Sequence, residues 1–379
     1  MIPPLFIFAG GGTGGHLYPG LAVADELRRL LGEVKVVFAC SNRAIDRRIL
    51  DGLDYAVVPQ PVRPLPRNPL QVVPFLAAWL KSRRQARDMI ADLKPAAVLG
   101  LGGFAAGPVV CRAWRSGVPT ALLNPDVVPG KANLYLARFA DVIFAQFADS
   151  VERFPARVRD KVRPVGCPVR SSLLDGRREE AVRHFDLQAD RRTLVVLGGS
   201  LGAANINDAL ALLMDELEHL ADRWQVLHIT GSAKAGPAGA AAKPRAIRVR
   251  TMEYCHEMAL AYAAADLVLA RAGAGTVAEL SATARPGVLM PYPYHKDQHQ
   301  RLNAASLARA GAAVICDDLK DAAANADRLR QTLLPLLRDE AKLEAMRRAA
   351  AGASRPHAAR DVAQWLAMYA GVQKVVTGQ

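Results

Sequence analysis

Leu5-Phe6-Ile7-Phe8-Ala9 runs straight into Gly10-Gly11-Gly12-Thr13-Gly14-Gly15-His16, and the amphipathic run Leu21-Ala22-Val23-Ala24-Asp25-Glu26-Leu27 follows. Five apolar residues with no polar alternation read as a strand covered on both faces, as in parallel sheets wrapped by helices. The glycines then form the turn from strand to helix. Such a turn lets backbone approach a ligand closely and aims N–H groups at an anion. A histidine closing it places a titratable base beside that site, although a helix-start histidine without chemistry fits the same pattern.

The spacing of Gly10, Gly12 and Gly15 also fits G-x-G-x-x-G, which brings a dinucleotide-binding domain into question. That reading wants an acidic residue at the end of the second strand to hold a ribose. Here Val34–Ala39 runs into Cys40-Ser41-Asn42 with no acid, which speaks against NAD.

The strand-then-helix rhythm recurs through both halves. Apolar runs at Leu5–Ala9, Val34–Ala39, Tyr55–Val58, Ala96–Leu99, Thr120–Leu123 and Asp141–Ala145 make a first set. Runs at Thr193–Leu197, Gln225–Ile229, Ile247–Val249, Leu267–Ala270, Val288–Met290 and Ala313–Cys316 make a second. The pattern predicts an α/β chain of two Rossmann-like domains, their parallel sheets facing a central cleft. Its 379 residues suffice for two cores. The junction is expected at 166/167, with domains 1–166 and 167–355 and a last helical segment, 356–379, packing back on the first.

Charge separates the halves. Residues 1–170 hold 23 Lys/Arg against 13 Asp/Glu, a net of +10, out of +13 for the whole chain. A basic first half implies an anionic partner: nucleic acid, anionic lipid or a pyrophosphate substrate. Nucleic acid is the weakest of these, since aromatics are only 6% and no nucleic-acid motif occurs. No apolar run reaches the roughly 18 residues of a spanning helix, and no signal peptide is read, so the expected setting is cytoplasmic. Five scattered cysteines without C-x-x-C read as reduced thiols rather than metal ligands.

Three further segments carry chemistry. Gly198-Gly199-Ser200-Leu201-Gly202-Ala203 opens a helix whose first amides, with the Ser200 hydroxyl, suit a diphosphate, although a purely structural tight turn looks the same; Arg170 could reach such a phosphate or be an ordinary surface residue. Gly273-Ala274-Gly275-Thr276-Val277-Ala278-Glu279 repeats the turn and adds a carboxylate able to accept from two vicinal hydroxyls. Tyr294 to Asn303 gathers hydrogen-bonding side chains suited to a sugar, though a solvated loop would look alike. No D-x-D is present, so no metal is expected at a nucleotide-sugar site. Finally, Leu70–Leu80 is strongly apolar and is followed by Lys81, Arg83, Arg84 and Arg87. That order suits an interfacial helix on anionic lipid, and a core-facing helix with a basic end equally.

Together GGGTGGHLYPGLAVADEL, GLGGFAAGP, GCPVR, LGGSLGA, EYCHEM, RAGAGTVAE and HKDQHQRLNA resemble, in order and spacing, the peptidoglycan N-acetylglucosaminyltransferases of glycosyltransferase family 28. The resemblance spans residue 5 to about 315. It implies a GT-B fold and inverting transfer of GlcNAc from UDP-GlcNAc to the 4-hydroxyl of MurNAc in lipid I, giving lipid II at the cytoplasmic face of the cell membrane. It implies that His16 is the base and that Thr13, Gly14 and Gly15 line its loop. Arg170 and Ser200 would hold donor phosphates, and Cys255 would meet uracil through its backbone. Ala274, Gly275, Thr276, Val277, Ala278 and Glu279 would surround the donor, with Glu279 on the ribose, and Gln300 would read GlcNAc hydroxyls. Leu70, Val73, Phe75, Leu76 and Trp79, with Lys81, Arg83, Arg84 and Arg87, would face the membrane. No cofactor is implied.

The chain departs from the family at Leu123-Asn124-Pro125-Asp126, where H-E-Q-N is usual, so that Asp126 replaces an asparagine of the sugar site. Cys167 also replaces an asparagine. The alternatives are therefore a transferase with another lipid acceptor such as diacylglycerol, a UDP-GlcNAc epimerase, or a sugar-nucleotide binder without turnover.

Overall fold

The computed structural model describes residues 3–64, 66, 68–198, 202–231 and 245–371. The chain divides into two compact units, Met1–Arg170 with Pro356–Gln379, and Ser171–Arg355. The division thus falls a few residues beyond the expected 166/167 junction and leaves Arg170 in the first unit.

The first unit holds a seven-stranded parallel sheet of order β3-β2-β1-β4-β5-β6-β7. Its strands are β1 (Leu5–Gly10), β2 (Lys35–Ala39), β3 (Ala56–Val57), β4 (Ala97–Gly102), β5 (Thr120–Asn124), β6 (Val142–Ala145) and β7 (Val162–Pro164). Central β1 is apolar throughout because both its faces are covered. Phe6 and Phe8 pack with Leu17, Leu21 and Phe38 on one side. Ile7 and Ala9 pack with Val98, Val109 and Leu122 on the other. The helix Ala358–Ala367 joins the first of these layers through Val362, Trp365 and Leu366, with the Trp365 ring edge-on to Phe144 at 6.3 Å.

The second unit repeats the design with six parallel strands in the order β10-β9-β8-β11-β12-β13. These are β8 (Arg192–Leu197), β9 (Trp224–Ile229), β10 (Val249–Met252), β11 (Leu267–Ala270), β12 (Gly287–Leu289) and β13 (Ala313–Ile315). One core joins Leu194, Val196 and Ile206 to Leu329 and Leu333. Trp224 is enclosed there, and its indole N–H donates to the Leu337 carbonyl at 2.8 Å, so the ring buries no unpaired polar atom.

Two strand expectations shift. The run Ile247–Val249 becomes β10 two residues later, and β7 was not anticipated. Val162-Arg163-Pro164 is a short edge strand, the position where proline costs no ladder hydrogen bond.

Candidate active site

His16 stands on the first turn of the helix Gly14–Leu31, directly after the glycine turn that ends β1. Its Nδ1 lies 3.1 Å from the Gly11 carbonyl oxygen and 3.1 Å from Thr13 Oγ1. A carbonyl can only accept, so the network assigns the proton to Nδ1 and leaves the Nε2 lone pair unprotonated. The ring lies over the turn that follows β4. A Cβ at Gly102 (φ 103°) would stand 2.9 Å from its Cδ2 and 3.0 Å from Nε2, so only glycine leaves room for the imidazole. Burial lowers the pKa of His16 below its ordinary 6.5, against opposing pulls from the Asp126 carboxylate, the Gly11 carbonyl and Asp46. The ring is therefore neutral at pH 7, as a proton acceptor must be.

The glycine turn does not offer all its amides to an outside anion, as the sequence led us to expect. The Gly12 N–H donates to both carboxylate oxygens of Asp46, at 2.7 and 2.9 Å. Asp46, fully buried on the helix Ala44–Leu50, also accepts from the Ser41 N–H at 3.1 Å and the Ser41 hydroxyl at 2.5 Å. Sequence reasoning passed over Asp46 because Arg43-Ala44-Ile45-Asp46 reads as an ordinary acidic first turn. In the fold Gly11 lies hard against it, and a Cβ there would collide with the Asp46 carboxylate.

Around His16, the departing segment is internally tied. Asn124 Nδ2 donates to the Asp126 carbonyl at 2.8 Å, while Asn133 Nδ2 donates to Asn124 Oδ1 at 3.1 Å and the Leu123 carbonyl at 2.9 Å. These bonds hold Asp126 close enough to act electrostatically on His16. Cys167 is buried, its sulfur 3.8 Å from the Pro168 carbonyl. The Arg170 guanidinium stacks 4.8 Å above the Tyr18 ring, on the same helix turn region as His16.

In the second unit, Ser200 lies outside the described residues. Ala274, Gly275, Thr276, Val277, Ala278 and Glu279 form the first two turns of the helix Ala274–Ala282 after β11. Glu279 Oε2 accepts from the Tyr262 hydroxyl at 2.8 Å. Tyr262 is fully buried, and burial together with the Glu279 charge raises its pKa well above 10, so it stays a donor. Gln300 Oε1 accepts from the Tyr292 N–H at 2.9 Å, which leaves its amide nitrogen for other partners. Cys255 is buried and desolvation pushes its thiol up to about 11, so it stays protonated at neutral pH.

No local pattern marks the network beneath the β11 turn. Asp318, enclosed, pairs with Arg271 at 2.8 Å and accepts from Asn205, Asn325 and the Lys320 N–H. Burial would raise its pKa, yet these bonds outweigh it and hold the carboxyl below the usual range. Arg271 also donates to the Met290 and Pro291 carbonyls. The turn after β11 is thereby fixed to the ends of β12 and β13 and to the helix Ala204–Leu212.

Among the described residues, His295, Asp297 and His299 have the composition of a metal half-site, with ligand atoms within 4.8 Å of one another. Asp297 already engages His299 Nδ1 at 2.8 Å. The His295 and His299 rings are also paired with each other, Nδ1 to Nε2 at 3.2 Å, so the three side chains form a hydrogen-bonded string.

The apolar stretch is split by the fold. In the helix Val72–Leu93 the buried residues Ser82, Ala86, Met89 and Ile90 all lie in the C-terminal half. Leu70 and Val73 are 86% and 74% exposed, and Leu76 and Leu80 are also exposed. Phe75 and Trp79 are half-buried, stacked together, with the Trp79 ring against Gly107. Lys81, Arg83 and Arg84 are exposed, whereas Arg87 pairs with Asp88 at 2.8 Å. Among the described residues no helix is long and apolar enough to cross a membrane.

Comparison with known proteins agrees with this architecture. Residues 6–145 match the glycosyltransferase family 28 N-terminal domain and residues 193–362 its C-terminal domain. A UDP-N-acetylglucosamine–N-acetylmuramyl-(pentapeptide) pyrophosphoryl-undecaprenol N-acetylglucosamine transferase of Desulforamulus reducens is 35% identical, over 94% of this chain and 96% of its own. The protein of the same name from Myxococcus xanthus is 34% identical over 94% and 91%. The crystal structure of MurG from Acinetobacter baumannii superposes with a TM-score of 0.73 at 27% identity, covering 97% of this chain and all of that one. A UDP-GlcNAc 2-epimerase of Neisseria meningitidis, at 15% identity and a TM-score of 0.63 over 97% of this chain and 100% of its own, shares the fold alone. With two Rossmann-like units, a histidine-bearing glycine turn and both domain matches in order, the chain belongs to glycosyltransferase family 28.

Proposed function

We propose that this protein transfers GlcNAc from UDP-GlcNAc to the 4-hydroxyl of MurNAc in lipid I, the undecaprenyl-diphosphate-linked MurNAc-pentapeptide, with inversion, to form lipid II. The observation that carries the reading is the fixed tautomer of His16: Nδ1 is committed to Gly11, and Nε2 has a lone pair to accept with. In the reaction the acceptor hydroxyl yields its proton to Nε2 as its oxygen bonds to C1 of GlcNAc. The bond from C1 to the diphosphate oxygen breaks, and its electrons leave with UDP. Thr13, Gly14 and Gly15 line the base, and Asp126 accepts from an acceptor hydroxyl.

The donor is held by the residues after β11. One oxygen of Glu279 is anchored by Tyr262 and the carboxylate faces the ribose hydroxyls. The opening amides of the helix Ala274–Ala282 and the backbone at Cys255 surround the nucleotide, and Gln300 reads the sugar. Arg170 and Ser200 meet the developing diphosphate charge, the role a metal takes in other nucleotide-sugar sites. The exposed Leu70, Val73, Leu76 and Leu80, with Lys81, Arg83 and Arg84 behind them, dock on the anionic cytoplasmic face of the membrane, where lipid I resides.

The test is to incubate purified protein with labelled UDP-GlcNAc and a short-chain lipid I analogue, beside diacylglycerol and no-acceptor controls. A disaccharide-lipid from the lipid I analogue alone is expected. Product with diacylglycerol instead would transfer the reading to another lipid acceptor and point to Asn124–Asp126. UDP release without acceptor would mark an epimerase.

A further inference from the structure

The Gly11–Gly12 peptide group joins two side chains that the sequence does not connect. On one side its N–H donates to both oxygens of the buried Asp46, at 2.7 and 2.9 Å. On the other its C=O, from Gly11, lies 3.1 Å from His16 Nδ1. Carboxylate, peptide and imidazole thus form one hydrogen-bonded chain. We infer that Asp46 is the positioning residue of the base, fixing the orientation and tautomer of His16 through the Gly11–Gly12 peptide.

Three features of the site support this role. Both flanking residues are glycines, so no Cβ resists rotation of that peptide plane, and something else must set it. Among the described residues, Asp46 is the side chain that takes its N–H: it is fully buried, and the Ser41 N–H and hydroxyl orient its carboxylate in turn. A negative acceptor on the N–H also polarises the peptide, which strengthens the carbonyl as an acceptor for Nδ1–H. The arrangement performs, at one peptide's remove, what a carboxylate bonded directly to a catalytic histidine does. Arg43 adds to the frame, its guanidinium reaching the Gly12 carbonyl at 3.3 Å.

Replacing Asp46 by Asn keeps the shape but turns one acceptor into a donor. Its backbone partners can only donate, so an NH₂ group must then face the Gly12 or Ser41 N–H. The Ser41 hydroxyl can turn to accept, but the two-oxygen, charged hold on the Gly12 N–H is lost and the peptide plane is loosened. The inference rests on His16 being the base, and the experiment separates the two. Wild type, His16→Ala, Asp46→Asn and Asp46→Glu are compared for kcat with a lipid I analogue and for UDP affinity. The tautomer of His16 is read from its imidazole ¹⁵N shifts.

The expected result for Asp46→Asn is a kcat lowered roughly 10- to 100-fold, a part of what a general base supplies. UDP affinity should stay within about twofold, Asp46→Glu should recover part of the rate, and the Nδ1–H signature should weaken. The proposal is overturned by wild-type kcat in Asp46→Asn while His16→Ala is inactive, or by a lowered kcat with the tautomer unchanged. Should Asp46→Asn fail to fold, wild type alone decides: an Nε2–H tautomer there refutes the inference, and an Nδ1–H tautomer with a strongly downfield Gly12 amide proton upholds it. Wild-type activity in His16→Ala would remove the base itself.

Discussion

Asp318→Asn offers a test of how the donor-side turn is held. The carboxylate is enclosed and pairs with Arg271, whose side chain is 10% exposed. It also accepts from Asn205 at 3.0 and 2.9 Å, from Asn325 at 3.0 Å and from the Lys320 N–H at 2.8 Å. Substitution by Asn places an NH₂ among these donors and strips Arg271 of its counter-charge. Removing one member of a buried ion pair costs about 3–5 kcal/mol. Arg271 keeps the Met290 and Pro291 carbonyls, which argues for the lower end, about 3 kcal/mol. For a unit the size of Ser171–Arg355, about 3 kcal/mol lowers Tm by about 6–12 °C. Calorimetry should show that shift in the transition of the second unit, identified as the one that rises with UDP under the proposed donor site. The acid limb supplies a second readout. Since the folded pKa of Asp318 is lowered, its contribution is complete above the unfolded pKa of about 3.9 and fades as pH falls through the folded value. Asp318→Asn should therefore flatten the stability profile below about pH 4. A Tm shift of about 1 °C with an unchanged acid slope would refute the reasoning, since the network would then contribute almost nothing.

Other outcomes follow from the same geometry. Glu279→Ala should weaken UDP binding by roughly 2 kcal/mol, the range for a hydrogen bond to a charged group, and Tyr262→Phe by about 1 kcal/mol with kcat at saturating donor unchanged, both measured by calorimetry. Wild-type affinity in Glu279→Ala would remove it from the ribose. Neutralising Lys81, Arg83 and Arg84 should cost about 1 kcal/mol per charge in recruitment to anionic vesicles, in a salt-sensitive way. Neutralising Arg87, already paired with Asp88, should change little; equal effects of all four would contradict the assignment. Burial lowers the pKa of His228, on β9, to about 4. The unfolded chain takes up that proton first, so the second unit should lose about 3 kcal/mol as pH falls from about 6.5 to about 4. His228→Gln should abolish that slope in urea titrations, and an undiminished slope would count against it.

The central strands were legible because they are buried on both faces and so are apolar without interruption, as in Phe6-Ile7-Phe8-Ala9 and Leu267–Ala270, whereas their order in each sheet was not. Where burial is incomplete the signal fades. β10 is only half-buried, and its start slipped; β7, short and ending in proline, carried no apolar run. The turn-borne candidates His16 and Glu279 stood out because glycine turns mark strand ends. Asp46, Tyr262 and Asp318 could not. Each works through a partner tens of residues or one strand away, and in the chain each sits in an ordinary local pattern. The apolar stretch before Lys81 left two readings open, and the fold divides it: Leu70, Val73, Leu76 and Leu80 stay exposed while Phe75 and Trp79 turn partly inward. Periodicity alone could not decide this, because the outward face has no apolar partner to satisfy within the unit.

The most direct test of the account is single-turnover transfer from labelled UDP-GlcNAc to a short-chain lipid I analogue by wild type and His16→Ala, with UDP affinity measured on the same preparations. The account expects a β-linked disaccharide-lipid from wild type, a rate lowered roughly 10²- to 10⁴-fold in the variant, and UDP binding within about twofold of normal. Wild-type transfer by His16→Ala would contradict it, since the acceptor proton would then leave without Nε2 to take it.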